Sequence, residues 1–367
     1  MTITKKSIEK AVNQSFAGMV LLVSILFLQP EFSRAALETA YDRPGPYSVK
    51  SLDFPGLKDT KRNNRSVPLK IHFPAKGKNF PLVIMSHGGA GTRDANIFQA
   101  KHTASHGYVV ICTEHVYSNN IRVRYHMSKA GGSMRFREAL HRTTKDPKAV
   151  LERPRDVSFA IDRAISWNTG HKELAGKIDT GKIAVMGHSF GAYTTLAVCG
   201  AQPILDHLEP PVSPGKGLAG DLSDSRVTFG LAMSPQGPGT SYFNKNSYKT
   251  INRPLICLTG SKDWQWRFNG RMMLAHTRKQ VFKLLPAGKK YFLWLKNADH
   301  LCFSHGPKSY LLPSRARPDA QRISKAVMVL ACDYFLKGKK QALDRFNKEY
   351  VSSLCGKVVT KVDWYEK

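Results

Sequence analysis

"IAVMGHSFGAYTTLAVCGA", residues 183–201, passes from an apolar run through Gly187, Ser189 and Gly191 into small, helix-compatible residues. Read with Lys182 before it, the first part is a buried strand and the part from Phe190 onward a helix. One serine therefore stands at their junction, between two glycines. Gly and Ser are common, so a G-x-S-x-G match alone carries little information. Its position carries more: on a sharp strand-to-helix turn, glycines on either side permit close packing while strain pushes the Ser189 hydroxyl into the open. Such a hydroxyl becomes a nucleophile only beside a base that an acid orients.

Working outward, eight apolar, β-branched runs are bounded by Gly, Pro or Asn: "YSVKSLDF", "VPLKIHFP", "PLVIMSH", "YVVICT", "KIAVMG", "VTFGLAMS", "PLICLTG" and "KYFLWLK". Several are nearly continuous in Val, Ile, Leu and Met, as strands covered on both faces are. Helical patterns lie between them. "RDVSFAIDRAISWN" spaces Val157, Ile161, Ala164, Ile165 and Asn168 for one face, and "RISKAVMVLACDYF" does so with Ile323, Ala326, Val327, Leu330, Ala331, Tyr334 and Phe335. Strands alternating with helices predict an α/β fold, one domain over residues 36–367 with a mostly parallel central sheet flanked by helices. Three stretches break the alternation: residues 115–152, 202–226 and 235–252. Long inserts at strand ends often surround a site, and 115–152 is expected to form an insert or partial lid.

The base and acid are sought after later strands. Asp263 follows "PLICLTG" in "GSKDWQW", and His300 follows "KYFLWLK" in "NADHLCFS". The chain order Ser, Asp, His is that of the α/β-hydrolases and differs from two other common serine-nucleophile orders. Asp299 is the rival acid, but a residue adjacent to the histidine points away from it too readily to brace it. Acyl chemistry also needs donors aimed at a developing oxyanion. The backbone N–H of Phe190 is one candidate. The other is Gly89 in "SHGGAGTR", residues 86–93, whose glycines let the backbone approach a ligand closely. No GK[ST] follows that loop, which argues against a phosphate site. Trp264 and Trp266 come directly after the candidate acid. They are candidates for a substrate-pocket wall, with core packing as the alternative.

Hydrophobic residues make up 42% of the 367 and charged residues 23%, which suits a folded body. The charge balance is less ordinary, +29 with a pI near 10.0. Lys5, Lys6 and Lys10 precede the apolar run "FAGMVLLVSILFL", and Ser33 and Ala35 supply small residues at a cleavage position. Residues 1–35 thus read as a secretory signal, because a run of 13 falls short of the roughly 20 residues that span a membrane. No cysteine follows it to carry a lipid, so no stable membrane anchor is expected after its removal. The expected location is periplasmic or secreted. The signal's four basic and two acidic residues net +2, so the mature chain would keep +27. Arg122, Arg124, Lys129, Arg135, Arg137, Arg142, Lys145 and Lys148 concentrate part of that charge in the 115–152 insert. An anionic cell-envelope or polysaccharide surface is one partner this would attract. No nucleic-acid reading motif is present. An oxidising compartment permits disulfides among the six cysteines. Cys112, Cys199 and Cys257 read as free core thiols, and Cys332 with Cys355 is the favoured pair. No CxxC spacing suggests zinc.

"LVIMSHGGAGTRDANIFQAKHTASHGYVVICTEHVYSNN", "RPRDVSFAIDRAISWN" and "GHSFGAYT" together resemble the dienelactone-hydrolase-like and platelet-activating-factor-acetylhydrolase-like serine esterases of the α/β-hydrolase superfamily. The resemblance runs roughly from residue 46 to residue 336. It implies Ser189 as nucleophile, His300 as base, and backbone donors at Gly89 and Phe190. Some acetylhydrolases of this type carry the acid one strand earlier, where this chain has "AMSPQG" and no carboxylate. Asp263 is therefore favoured, a pattern nearer dienelactone hydrolase and polyester-cleaving cutinase-like enzymes. Dienelactone hydrolases use cysteine as nucleophile, and this chain has serine. The resemblance implies cleavage of small-molecule or polymeric carboxylic esters through an acyl-enzyme, with no cofactor or metal. Lipase, thioesterase or peptidase action by the same residues is the alternative, as is an anionic-polymer binding protein on a hydrolase scaffold.

Overall fold

The computed structural model describes residues 40–131, 135–304 and 314–367; the expected signal at 1–35 lies outside the described residues. The main sheet contains β1 (Val49–Phe54), β2 (Leu69–Pro74), β3 (Phe80–Ser86), β4 (Val109–Thr113), β5 (Ile178–His188), β6 (Val227–Met233), β7 (Leu255–Lys262), β8 (Lys290–Asp299) and β9 (Val362–Glu366). Their spatial order is β1-β2-β4-β3-β5-β6-β7-β8-β9. All neighbours from β4 to β8 pair in parallel, while β1–β2, β2–β4 and β8–β9 pair antiparallel. All eight apolar runs are strands of this sheet. The ninth, "VDWYE", is short, half exposed and carries carboxylates at Asp363 and Glu366, so no apolar pattern announces it.

Continuous apolar strands work because the pleat sends alternate side chains to two cores. Leu82 and Ile84 belong to one buried cluster, and Val83 and Met85 to the other. Six of the helices are α1 (Ile97–Ser105), α2 (Asn120–Lys129), α3 (Phe136–Thr143), α4 (Glu152–Gly170), α5 (Phe190–Val198) and α6 (Arg317–Cys332). Val157, Ile161 and Ala164 of α4, with Ala192 and Leu196 of α5, close the first cluster. Ala100 and Ala104 of α1, with Ile323, Ala326, Val327 and Leu330 of α6, close the second. This is a mostly parallel sheet flanked by helices on both faces, an α/β-hydrolase domain. The stripe of α4 is narrower than its spacing suggests: Ile165 is 40% exposed. Asn168 serves the fold differently, its side-chain oxygen accepting from the Ile178 N–H at the start of β5, at 2.8 Å.

The strand order places a crevice. After β3 the chain crosses to α1 over one core, whereas after β5 it enters α5 over the other. The two C-terminal strand ends therefore part, which is where ligands bind in open α/β sheets. Ser86 pairs with Gly187 in register, so the loop after β3 and the turn after β5 open side by side. In the insert, α2 and α3 pack together beside this opening, with Leu140 of α3 reaching the loop at Gly89. Among the described residues no helix is long and apolar enough to cross a membrane.

The favoured disulfide is not formed. All six cysteines are free thiols. Cys112, Cys199 and Cys257 are buried in the cores as expected, and so is Cys332, because it sits on the core-facing stripe of α6. Cys355 packs only partly against that cluster and keeps some exposure.

Candidate active site

Ser189 stands between β5 and α5 with φ 57° and ψ −118°, a conformation that is strained for any residue with a side chain. Its N–H donates to the Met233 carbonyl at 2.9 Å, and Tyr193 N–H donates to its own carbonyl at 3.1 Å, so strand and helix hold the turn from both sides. The glycines are required by space. A Cβ at Gly191 would lie 1.9 Å from the Ser86 carbonyl oxygen, and one at Gly187 would lie 2.4 Å from that of Gly191. From residue 183 to residue 201 every residue is buried except Ser189.

His300 and Asp263 arrive from neighbouring strands. Gly260 in β7 lets the Ala298 backbone of β8 approach so closely that a Cβ there would lie 2.1 Å from its oxygen. After a bulge in β8, Asp299 pairs with Lys262, which sets the residues that follow them, His300 and Asp263, side by side. Ser189 Oγ is 2.9 Å from His300 Nε2, and His300 Nδ1 is 2.8 Å from Asp263 Oδ1. The His300 side chain is 36% exposed and that of Asp263 is fully buried. Asp299 faces elsewhere, its carboxylate accepting from the Leu301 N–H at 2.9 Å and so capping the turn that carries His300.

Arg278 and Thr259 join the site without any motif to announce them. Thr259 Oγ1 donates to Asp263 Oδ2 at 2.7 Å, and Arg278 Nη2 lies 2.9 Å from Oδ1. Arg278 also donates to the carbonyls of Asp263, Ser234, Pro235 and Trp264 at 2.8 to 2.9 Å. It thereby fills the end of β6, where "AMSPQG" lacks an acid. Burial works to raise the Asp263 pKa, but the Arg278 and His300 charges outweigh it and hold the carboxyl well below the usual carboxylate range.

The loop "SHGGAG" lies against the turn. A Cβ on Gly88 would meet Ser189 Cβ at 3.4 Å, and one on Gly89 would strike Leu140 of α3 at 2.5 Å. Phe190, at the first turn of α5, has no carbonyl of its own helix to bond. Trp264 and Trp266 are not core residues; they are 50% and 40% exposed. Trp266 pairs with Met272 across a short antiparallel hairpin, so Trp264, Trp266, Met272 and Leu274 share its outward face while Gln265 and Met273 are buried. The Arg137 guanidinium covers the Trp266 ring at 4.6 Å. Among the described residues no group of three His, Cys, Asp or Glu side chains converges as a metal site requires.

Two buried histidines near the site give an acid-stability prediction. Burial pushes both His115 and His188 down to about 3. Their folded values lie below the unfolded one of about 6.5, so below that pH the unfolded chain binds protons the folded chain refuses. Stability should fall as pH drops from about 6.5 toward 3, by up to about 1.4 kcal/mol per pH unit for each group. Thermal melting across that range should show the loss, and a flat midpoint between pH 6.5 and pH 4 would contradict it.

The strand order, the strained serine turn and the open strand ends place the chain among the α/β-hydrolases. A family model described as platelet-activating factor acetylhydrolase, isoform II, matches residues 60–157 and 156–285. The chain belongs to that family. It is 26% identical over 149 residues to the platelet-activating factor acetylhydrolase of Cavia porcellus, covering 35% of this chain and 34% of that protein. It is 26% identical over 139 residues to cutinase 2 of Thermobifida cellulosilytica, covering 37% and 40%. A shorter match, 33% over 67 residues, covers 18% of this chain and 22% of the bis(hydroxyethyl) terephthalate hydrolase of Streptomyces coelicolor. The matched segments thus span well under half the length of these relatives.

Proposed function

We propose that this protein hydrolyses carboxylic esters through an acyl-enzyme on Ser189. The observation that carries the reading is the hydrogen-bonded chain from Ser189 Oγ through His300 to Asp263, ending on the one accessible residue of the 183–201 stretch. Ser189 Oγ attacks the ester carbonyl while His300 Nε2 takes its proton, and Asp263 accepts from Nδ1–H and stabilises the imidazolium. The carbonyl oxygen, now an oxyanion, is held by the N–H groups of Gly89 and Phe190. His300 returns the proton to the leaving alcohol, and then activates a water that releases the acid. The kinship with an acetylhydrolase, cutinases and a terephthalate-ester hydrolase supports esters over thioesters and peptides. Parallel assays on p-nitrophenyl esters, acyl thioesters and aminopeptidase substrates test this. Turnover confined to peptides would overturn it.

The outward face of the 264–274 hairpin begins directly after Asp263, where Trp264 and Trp266 would wall the path of a long acyl or alcohol chain. Trp266→Ala should lower kcat/KM for octanoate or longer esters by about tenfold, the scale of a lost apolar contact, and leave acetate esters nearly unchanged. Equal losses on both would remove the wall from the account. We also place the protein outside the cytoplasm, with residues 1–35 as a removable signal. There Arg124, Lys129, Arg135, Arg137, Arg142 and Lys148, all exposed on the insert, would draw it to an anionic surface. The Ser189→Ala protein should bind anionic polysaccharide at low salt and release as ionic strength approaches about 0.5 M, well beyond effective screening. Salt-independent binding, or equal binding to a neutral polysaccharide, would exclude electrostatic targeting.

A further inference from the structure

Behind the site, Ser86, His115 and Asp156 repeat the hydrogen-bond order of Ser189, His300 and Asp263. Ser86 Oγ is 2.9 Å from His115 Nε2, and His115 Nδ1 is 2.9 Å from Asp156 Oδ2. All three residues are fully buried. Ser86 ends strand β3 and has no positive φ, so nothing turns its hydroxyl toward solvent. The same chemistry without access cannot meet a substrate, which leaves the question of what the second relay holds.

Its protons can be assigned. Arg65 makes two bonds to the Asp156 carboxylate, at 2.7 and 2.9 Å, and Arg62 adds a third at 2.9 Å, so Asp156 is an anion that only accepts. Burial works to raise its pKa, but bonds from Arg65 and His115 prevail and hold it well below the carboxylate range. His115 therefore donates from Nδ1 and accepts the Ser86 hydroxyl proton at Nε2. That leaves the Ser86 oxygen free to accept from Arg153 Nη2, at 3.1 Å. His87 is fixed in the same way: Nε2 accepts from the His115 N–H at 3.0 Å, so Nδ1–H donates to the Gly88 carbonyl at 2.6 Å.

Arg153 then links the two sides of the site. It donates to the His87 carbonyl, two residues before Gly89. Its Nη1 donates to Ser118 Oγ at 2.6 Å, and the Ser118 carbonyl takes the Ala90 N–H at 2.8 Å, just after Gly89. On the other side its Nε donates to Thr194 Oγ1 in α5 at 2.9 Å, and its guanidinium lies 4.3 Å from the centre of the Phe190 ring. Arg153 is fully buried, yet among the described residues its hydrogen bonds go to hydroxyls and a carbonyl and none goes to a carboxylate. An apolar side chain of similar size would avoid the desolvation penalty of that charge, but it could hold neither the loop nor the helix.

We propose that Ser86, His115, Asp156 and Arg153 form a buried positioning unit that sets the spacing between the Gly89 and Phe190 N–H groups. The inference rests on the esterase reading. These residues touch no substrate; they act by fixing where two donors stand when negative charge develops between them. Misplacement of such donors by about 1 Å is enough to lower turnover about 10²-fold.

The test compares Ser86→Ala and Arg153→Met on p-nitrophenyl acetate, with kcat expressed per active site titrated by a fluorophosphonate, and adds Ser189→Ala, whose rate is expressed per folded chain. Ser86→Ala should lower kcat about tenfold and Arg153→Met about a hundredfold, with KM within about threefold of wild type. Affinity for a trifluoromethyl ketone, whose adduct places an oxyanion between the same donors, should weaken by the same factor as kcat/KM. A purely structural role would lower the melting midpoint and leave both quantities intact. If Arg153→Met does not fold, Ser86→Ala, which removes a single hydroxyl, decides. Turnover per titrated site within threefold of wild type in the folded variants overturns the positioning unit, as does ketone affinity that stays constant while kcat falls. Wild-type turnover by Ser189→Ala would instead overturn the esterase reading itself.

Discussion

Ser189→Ala should lower ester turnover by roughly four to six orders of magnitude, because nucleophile, base and acid act as a unit and removing the first disables the others. The fold should be unaffected. Among the described residues the Ser189 hydroxyl bonds only to His300, and the turn is held by backbone bonds to Met233 and Tyr193 that alanine keeps. Alanine also tolerates φ 57° about as well as serine, so the strain is the same in both. A melting midpoint near that of wild type together with near-zero turnover is the expected pair of results. A folded variant with turnover near wild type would remove Ser189 from the mechanism.

Asp263→Asn should lower turnover about 10⁴-fold, through the histidine and not through the fold. Arg278 Nη2 and His300 Nδ1 both face Oδ1, so an asparagine carbonyl placed there keeps both bonds, turns its amide to Thr259 and offers no charge to stabilise the imidazolium. In the flipped amide His300 must accept at Nδ1 and carry its proton on Nε2, which faces Ser189 Oγ at 2.9 Å and can no longer act as a base. Asp299→Asn should stay within about tenfold of wild type, since its amide oxygen can still cap the Leu301 N–H. Kinetics on both variants at the pH of maximal wild-type activity check this. A large loss at Asp299 with little at Asp263 would reassign the acid.

The sheet was legible because burial on both faces writes itself as continuous apolar runs, and the eight such runs became β1 to β8 in order. The last strand was not. "VDWYE" pairs along the free edge of β8 through its backbone, and backbone pairing at an edge demands no side-chain pattern. The Cys332–Cys355 pairing failed for a related reason: sequence position says that two residues share a segment but not which face each presents, and Cys332 faces the core.

Within the site, Ser189, Asp263 and His300 could be named from sequence because each follows a recognisable strand, and strand ends converge in a parallel sheet. Asp299, the rival acid, has its carboxylate on the Leu301 N–H of its own turn. The supporting residues had no such signal. Arg278 lies 15 residues beyond Asp263, and Arg153 lies 66 residues beyond His87, whose carbonyl it bonds. Long-range hydrogen bonds of this kind follow from the folded path and leave no periodicity in the chain. Trp264 and Trp266 were balanced between pocket wall and core, and only exposure distinguishes these: they face outward on a hairpin whose inward positions are Gln265 and Met273.

The central claim, that Ser189 is an activated nucleophile, is tested most directly by peptide mass mapping after a fluorophosphonate is added to the native protein. One phosphonyl adduct per chain is expected, on the peptide carrying Ser189, abolished by prior unfolding and absent from His300→Ala. An unlabelled protein, or an adduct on another residue while Ser189 stays unmodified, would contradict it.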